Sequence, residues 1–195
     1  DILNTETSWV NDLKAKNIKV ICFDDLKGGV IAPADLIINP IVGCWQNNTN
    51  NKNIPLYSGP SYSILSSEIK NYRKKRKLNS DNINIGVTMG GSDTYGATVI
   101  VAKLLKNVRK EITVHFFLGP SFKHSEQLLN TLTNNPYKFE IYNFTKNLLG
   151  KLSNMDIVIC GGGLTLFEVC AMGLPSMALA NELHEIETIK YFEQK

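Results

Sequence analysis

In the second part of the chain, apolar residues gather into short runs at 83–89, 112–118, 139–142, 157–160 and 176–179. Between the runs they recur at helical spacing. A short continuous apolar run reads as a strand buried on both faces, and strands that alternate with amphipathic helices build a parallel sheet. The pattern predicts helices over 95–108, 122–131, 145–152, 165–172 and 183–192, placed on both sheet faces by right-handed crossovers.

The first part is less regular. Trp9, Val10 and Leu13 fit one helix face within 5–16, and 18–23 reads as a strand closed by Asp24-Asp25. Gly28-Gly29 turns the chain, and 35–40 is a second short strand ended by Pro40. The Asn- and Gln-rich stretch 43–52 is a loop. Tyr62, Leu65 and Ile69 lie at spacings that suit a single helix face within 57–72. The basic run Arg73-Lys74-Lys75-Arg76-Lys77 and the polar stretch after it mark a boundary. The expected organisation is a partial N-terminal α/β domain with linker over 1–81 and a Rossmann-like domain over 82–195. The chain reads as cut at both ends, because its last helix stops at Lys195 without a cap.

Two glycine loops interrupt this pattern where ligands bind. Met89-Gly90-Gly91-Ser92-Asp93 and Cys160-Gly161-Gly162-Gly163-Leu164-Thr165 each follow a strand and open a helix. Ligands of open parallel sheets bind at the carboxyl ends of strands, where a helix N-terminus offers free N–H groups and the positive end of its dipole to an anion. Each polar residue nearby has two readings. Ser92 and Asp93 either cap the next helix or line a diphosphate. Thr165 and Glu168 either form a capping box or leave the Glu168 carboxylate free to accept bonds from two ribose hydroxyls. Asn181, after the 176–179 strand, is an N-cap or a ligand contact. Gly119-Pro120 contributes shape at the same edge. His115, His124 and His184 read more readily as surface or packing residues than as catalysts. Asp24-Asp25 reads as strand-end turn chemistry rather than a metal site.

Composition narrows the class. With 43% hydrophobic and 20% charged residues among 195, the chain is of globular type, and a net charge of +3 creates no demand for nucleic acid. The basic run reads as a solvated helix end. Cys22, Cys44, Cys160 and Cys170 lack metal-ligand spacing, and three of them lie within apolar runs where a reduced thiol behaves as a small hydrophobe, which points to a reducing cytoplasm. No apolar run approaches the roughly 18 residues needed to span a bilayer. No metal and no cofactor are expected.

Several segments together are similar to a known family. They are Phe23-Asp24-Asp25, Ala34-Asp35-Leu36-Ile37-Ile38-Asn39, Ser58-Gly59-Pro60-Ser61-Tyr62, Met89-Gly90-Gly91-Ser92-Asp93, the run from Asp156 through the triple glycine to Glu168, and Gly173-Leu174-Pro175. In that order they resemble the PseG-type nucleotide-sugar hydrolases, relatives of the MurG-like glycosyltransferases of the GT-B fold. The resemblance implies a GT-B-like α/β protein that binds a UDP-sugar. Gly90, Gly91, Ser92 and Asp93 would line the diphosphate, and Gly162, Gly163, Leu164 and Thr165 would supply N–H groups to phosphate. Glu168 would hold the ribose and Asn181 would face the diphosphate or sugar. The region from Phe144 to Leu148 would border the uracil.

The activity so implied is metal-independent, inverting hydrolysis of a UDP-linked 2,4-diacetamido-trideoxy hexose in pseudaminic acid biosynthesis. Water would be assisted by a histidine in an N-terminal Gly-x-x-His loop that these 195 residues lack. Two alternatives stand beside it. One is a UDP-sugar-dependent GT-B glycosyltransferase of surface or spore-coat polysaccharide. The other is a non-catalytic nucleotide-binding half of a split transferase.

Overall fold

A computed structural model of the protein describes residues 6–23, 34–40, 54–73, 81–183 and 185–194. Asp24-Asp25, Gly28-Gly29, the 43–52 loop, the basic run beyond Arg73 and His184 lie outside the described residues. The chain forms two compact units, Asp1–Ile64 with Lys190–Lys195, and Leu65–Ile189.

The first unit contains α1 (Thr7–Ala15) and three parallel strands, β1 (Ile21–Phe23), β2 (Leu36–Asn39) and β3 (Leu56–Ser58), in the order β1-β2-β3. Cys22, Ala34 and Ile37 form its small buried cluster. Asp35 ties the start of the sheet together. Its carboxylate accepts the Val20 N–H at 2.9 Å and lies 3.2 Å from the ammonium groups of Lys14 and Lys19. These donors, the backbone N–H foremost, hold its pKa down at about 2.

Of the helix face expected from Tyr62, Leu65 and Ile69 within 57–72, only α2 (Ile69–Tyr72) is α-helical, and β3 and a 3₁₀ turn at Pro60–Tyr62 precede it. Ser63, at φ −66° and ψ 132°, is extended and ends the helical path after Tyr62.

The second unit is a five-stranded, all-parallel sheet in the order β6-β5-β4-β7-β8. Its strands are β4 (Asn82–Thr88), β5 (Glu111–Leu118), β6 (Lys138–Asn143), β7 (Ile157–Gly161) and β8 (Ser176–Leu179). The connecting helices are α3 (Ala97–Leu105), α4 (Ser125–Leu132), α5 (Leu148–Leu152) and α6 (Leu164–Ala171), and α7 (Glu185–Glu193) follows β8. Every strand and helix expected beyond residue 82 is present, within a few residues at its ends. α3 and α4 cover the face bearing Ile85, Val87, Val114 and Phe116. Each such side chain stabilises the fold by roughly 1.5–3 kcal/mol on burial. On the other face Leu152 and Met155 approach Gly86 and Phe117. Among the described residues no helix is long and apolar enough to cross a membrane.

That second face also carries a polar network. His115 lies 3.4 Å from Asn84 Oδ1 through Nε2, and 3.4 Å from the Tyr142 hydroxyl and 3.7 Å from Glu140 through Nδ1. Tyr142 donates to Glu140, Asn84 reaches Asp156, and the Lys151 ammonium lies over the Tyr142 ring. Burial lowers the His115 pKa below 6.5, with Lys151 acting in the same direction and Glu140 opposing. The folded state therefore prefers the neutral ring, and the unfolded chain takes up the proton first as pH falls. Stability should be complete above pH 6.5 and decline below it. In denaturant titrations between pH 7.5 and 5, His115→Asn should flatten that decline, and an unchanged slope would refute the assignment.

Candidate functional site

β4 and β7 are neighbours, Thr88 pairing with Cys160, yet the chain continues from β4 to β5 on one side and from β7 to β8 on the other. Their carboxyl ends form the switch point of the sheet, the position at which an open α/β sheet takes its ligand. Both glycine loops emerge there, side by side.

A cavity of about 250 Å³ opens beside them. Thr88, Gly90 and Gly91 line it from the β4 end, the chain from Phe117 to Pro120 from the β5 end, and Phe144, Thr145 and Leu148 from the β6–α5 connection. Thr165 of α6 completes the wall, and no charged side chain is among the lining residues. The β5 end comes very close to the first glycine loop. Ser121 N–H donates to Gly91 O at 3.0 Å, and a Cβ at Gly119 would lie against the carbonyl oxygens of Gly90 and Gly91. By contrast, a Cβ at Gly90 or Gly91 would meet no atom within 4 Å.

The two helix N-termini differ. At α3, Asp93 is 2% exposed and sits at φ 46°, with Oδ1 accepting the Ala97 N–H at 2.7 Å and Oδ2 the Thr98 N–H at 2.9 Å. Its carboxylate thus caps the helix, the first of its two readings. Ser92 is exposed, its hydroxyl 3.3 Å from that of Thr94. At α6 the N-cap is Gly163, and no side chain caps the helix. Among the described residues the Leu164 and Thr165 N–H groups find no acceptor, so the positive end of this helix is open there.

The expected Thr165–Glu168 capping box is absent. Because α6 begins at Leu164, Glu168 falls in the second turn, too far along to reach the N-cap N–H. Its side chain is half-buried and makes no hydrogen bond among the described residues, and burial raises its pKa. Gly162 has a packing role, since a Cβ there would stand 2.7 Å from the Cβ of Glu185 and 3.0 Å from the Ile189 side chain. The Leu164 side chain is exposed.

Asn181 is 9% exposed and does not act as the expected side-chain cap. Its Nδ2 donates across the sheet edge to Met89 O at 3.3 Å, and its Oδ1 is buried without a hydrogen-bond partner. Cys160, fully buried at the end of β7, has its thiol pushed up to about 12, mainly by burial, and is inert as a nucleophile. Sequence reasoning missed Glu185 and Thr88. The only sequence trace of Glu185 is an acidic residue in the first turn of the last predicted helix.

The sequence model of the Glycosyltransferase family 28 C-terminal domain matches residues 67–195. Uncharacterized protein MJ1062 of Methanocaldococcus jannaschii is 30% identical over 94% of this chain and 41% of its own length. Spore coat polysaccharide biosynthesis protein SpsG of Bacillus subtilis is 27% identical over 98% of this chain and 58% of its own. The chain thus spans about half the length of these relatives. Among solved structures, Acinetobacter baumannii MurG superposes on 95% of this chain and 53% of its own with a TM-score of 0.62 at 16% identity, a likeness of fold. The family match covers more than half of a chain whose strand order is that of a Rossmann-like α/β domain, and the chain belongs to the glycosyltransferase family 28 C-terminal domain family.

Proposed function

We propose that this chain carries the donor site of a nucleotide-sugar-dependent glycosyltransferase of polysaccharide assembly. The observation that carries the reading is the uncapped N-terminus of α6 beside an uncharged cavity at the switch point. The diphosphate accepts the Leu164 and Thr165 N–H groups and lies along Gly90, Gly91 and Ser92. The base enters the cavity between Phe117 and Phe144, and the ribose hydroxyls donate to Glu168, which gives that desolvated carboxylate the partners it lacks. In the reaction an acceptor oxygen attacks the anomeric carbon, and the bonding pair stays on the departing phosphate oxygen. There α6 stabilises the growing negative charge. The similarity to the spore coat polysaccharide biosynthesis protein SpsG supports polysaccharide assembly as the setting.

A second reading keeps the same donor site and hands the sugar to water. The Gly-Pro-x-Tyr segment at Gly59–Tyr62 and the Gly90-Gly91-Ser92-Asp93 loop favour it through their resemblance to the PseG-type hydrolases, whose substrate would be a UDP-linked 2,4-diacetamido-trideoxy hexose. UDP release measured with and without an oligosaccharide acceptor separates the two. Release that needs acceptor supports transfer, and release at full rate without it supports hydrolysis.

Glu168→Ala should weaken UDP binding by about 1–3 kcal/mol, the range for hydrogen bonds to a charged group. Thermal stability should hold, because the side chain makes no hydrogen bond in the fold. Calorimetry with UDP, CMP and GDP measures both the loss and the base preference. Unchanged UDP affinity would remove Glu168 from the site.

A further inference from the structure

Against the second glycine loop stands a carboxylate that the donor reading leaves idle. Glu185, at the start of α7, is 8% exposed. Its Oε2 accepts the Asn181 N–H at 2.6 Å and lies 3.3 Å from the Glu182 N–H. Oε1 faces the glycine loop, 3.4 Å from where a Cβ at Gly163 would stand and 3.7 Å from one at Gly161. Glu185 and Ile189 together fill the space in front of Gly162. The turn that Glu185 holds also carries Asn181, whose amide reaches the Met89 carbonyl and whose Oδ1 is buried without a partner. One side chain therefore braces the tips of β7 and β8, and through Asn181 the tip of β4, while placing negative charge beside the open end of α6.

We propose that Glu185 is a positioning residue of the donor site whose charge also makes the site discriminate against the free nucleoside diphosphate product. The inference rests on the nucleotide-sugar reading. Cleavage of the glycosidic bond leaves its electron pair on the terminal phosphate, so the product gains an ionisable oxygen that the donor lacks and is the more anionic of the two. A fixed carboxylate at the same spot repels product more than donor and speeds its departure. For one added charge across several ångströms of partly solvated protein, the difference amounts to about threefold to tenfold in affinity.

Two variants separate bracing from charge. Glu185→Gln keeps the volume and an acceptor oxygen for the Asn181 N–H but removes the charge, whereas Glu185→Ala removes both. By calorimetry, Glu185→Gln should bind UDP and inorganic pyrophosphate about threefold to tenfold more tightly. It should gain less on UDP-N-acetylglucosamine and leave uridine unchanged. Glu185→Ala should lose hydrogen-exchange protection at Asn181 and Glu182 and bind UDP more weakly than the parent protein. If that variant fails to fold, the Gln variant carries the test. Unchanged or weaker UDP and pyrophosphate binding by Glu185→Gln would overturn the proposal. A parent protein that binds pyrophosphate but neither UDP nor uridine would remove the nucleotide reading, and the pyrophosphate comparison would still decide the role of the Glu185 charge. Binding of none of the four ligands would end both.

Discussion

Gly119→Ala should lower the stability of the protein by about 2–4 kcal/mol, at and beyond the upper end of ordinary overpacking. The added Cβ would press on the carbonyl oxygens of Gly90 and Gly91 and stand 2.6 Å from the carbonyl carbon of Gly91. These are backbone atoms, without a flexible side chain to swing aside, so the β5 end and the first glycine loop must separate. That separation would break the bond from Ser121 N–H to Gly91 O and distort the cavity wall. Chemical denaturation reads the loss directly. Gly91→Ala is the matched comparison, since its Cβ points into open space and should cost the fold less than about 1 kcal/mol. Equal stability of the two variants would show that the β5 end is not packed against the loop.

Asp93→Ala should cost about 2–4 kcal/mol, because two charge-assisted hydrogen bonds at a buried helix terminus are lost together. Both carboxylate oxygens are used, at 2.7 and 2.9 Å, and the N–H groups of Ala97 and Thr98 would be left without acceptors. Asp93→Asn, which retains one acceptor oxygen, should fall between the two. Denaturant midpoints measure the series, and calorimetry with UDP on the surviving folded protein adds the deciding comparison. If Asp93 served the ligand instead of the helix, UDP affinity would fall while stability stayed intact.

Both variants probe features that local sequence could not separate. Gly90-Gly91 and Gly162-Gly163 look alike on paper, each ending a buried strand and opening a helix. In three dimensions one helix end is closed by its own Asp93, whereas the other is open. The glycines differ too: Gly91 borders open space and Gly162 makes room for Glu185 and Ile189. The capping box expected of Thr165 and Glu168 failed because its logic depends on where the first helical turn begins. With the N-cap at Gly163, two residues before Thr165, Glu168 is out of its reach. The helix face expected from Tyr62, Leu65 and Ile69 formed only over α2, since apolar spacing cannot report that the backbone becomes extended at Ser63.

The order of strands and helices beyond residue 82, and the placing of both glycine loops at strand ends, were legible in the chain alone. A strand buried on both faces must be apolar at nearly every position, and an amphipathic helix must repeat its apolar residues near every third or fourth, so each leaves its own period in the sequence. Which carboxylate closes a helix, which stands half-buried without a hydrogen bond, and which packs against the second glycine loop was decided only by tertiary structure. Glu168 and Glu185 both read from the sequence as acidic residues near the start of a helix, and their difference lies in where each helix begins and in the groups that the fold brings against them. Those groups come from distant stretches of chain, as in the pairing of Asn181 with the Met89 carbonyl, and no local pattern encodes such meetings.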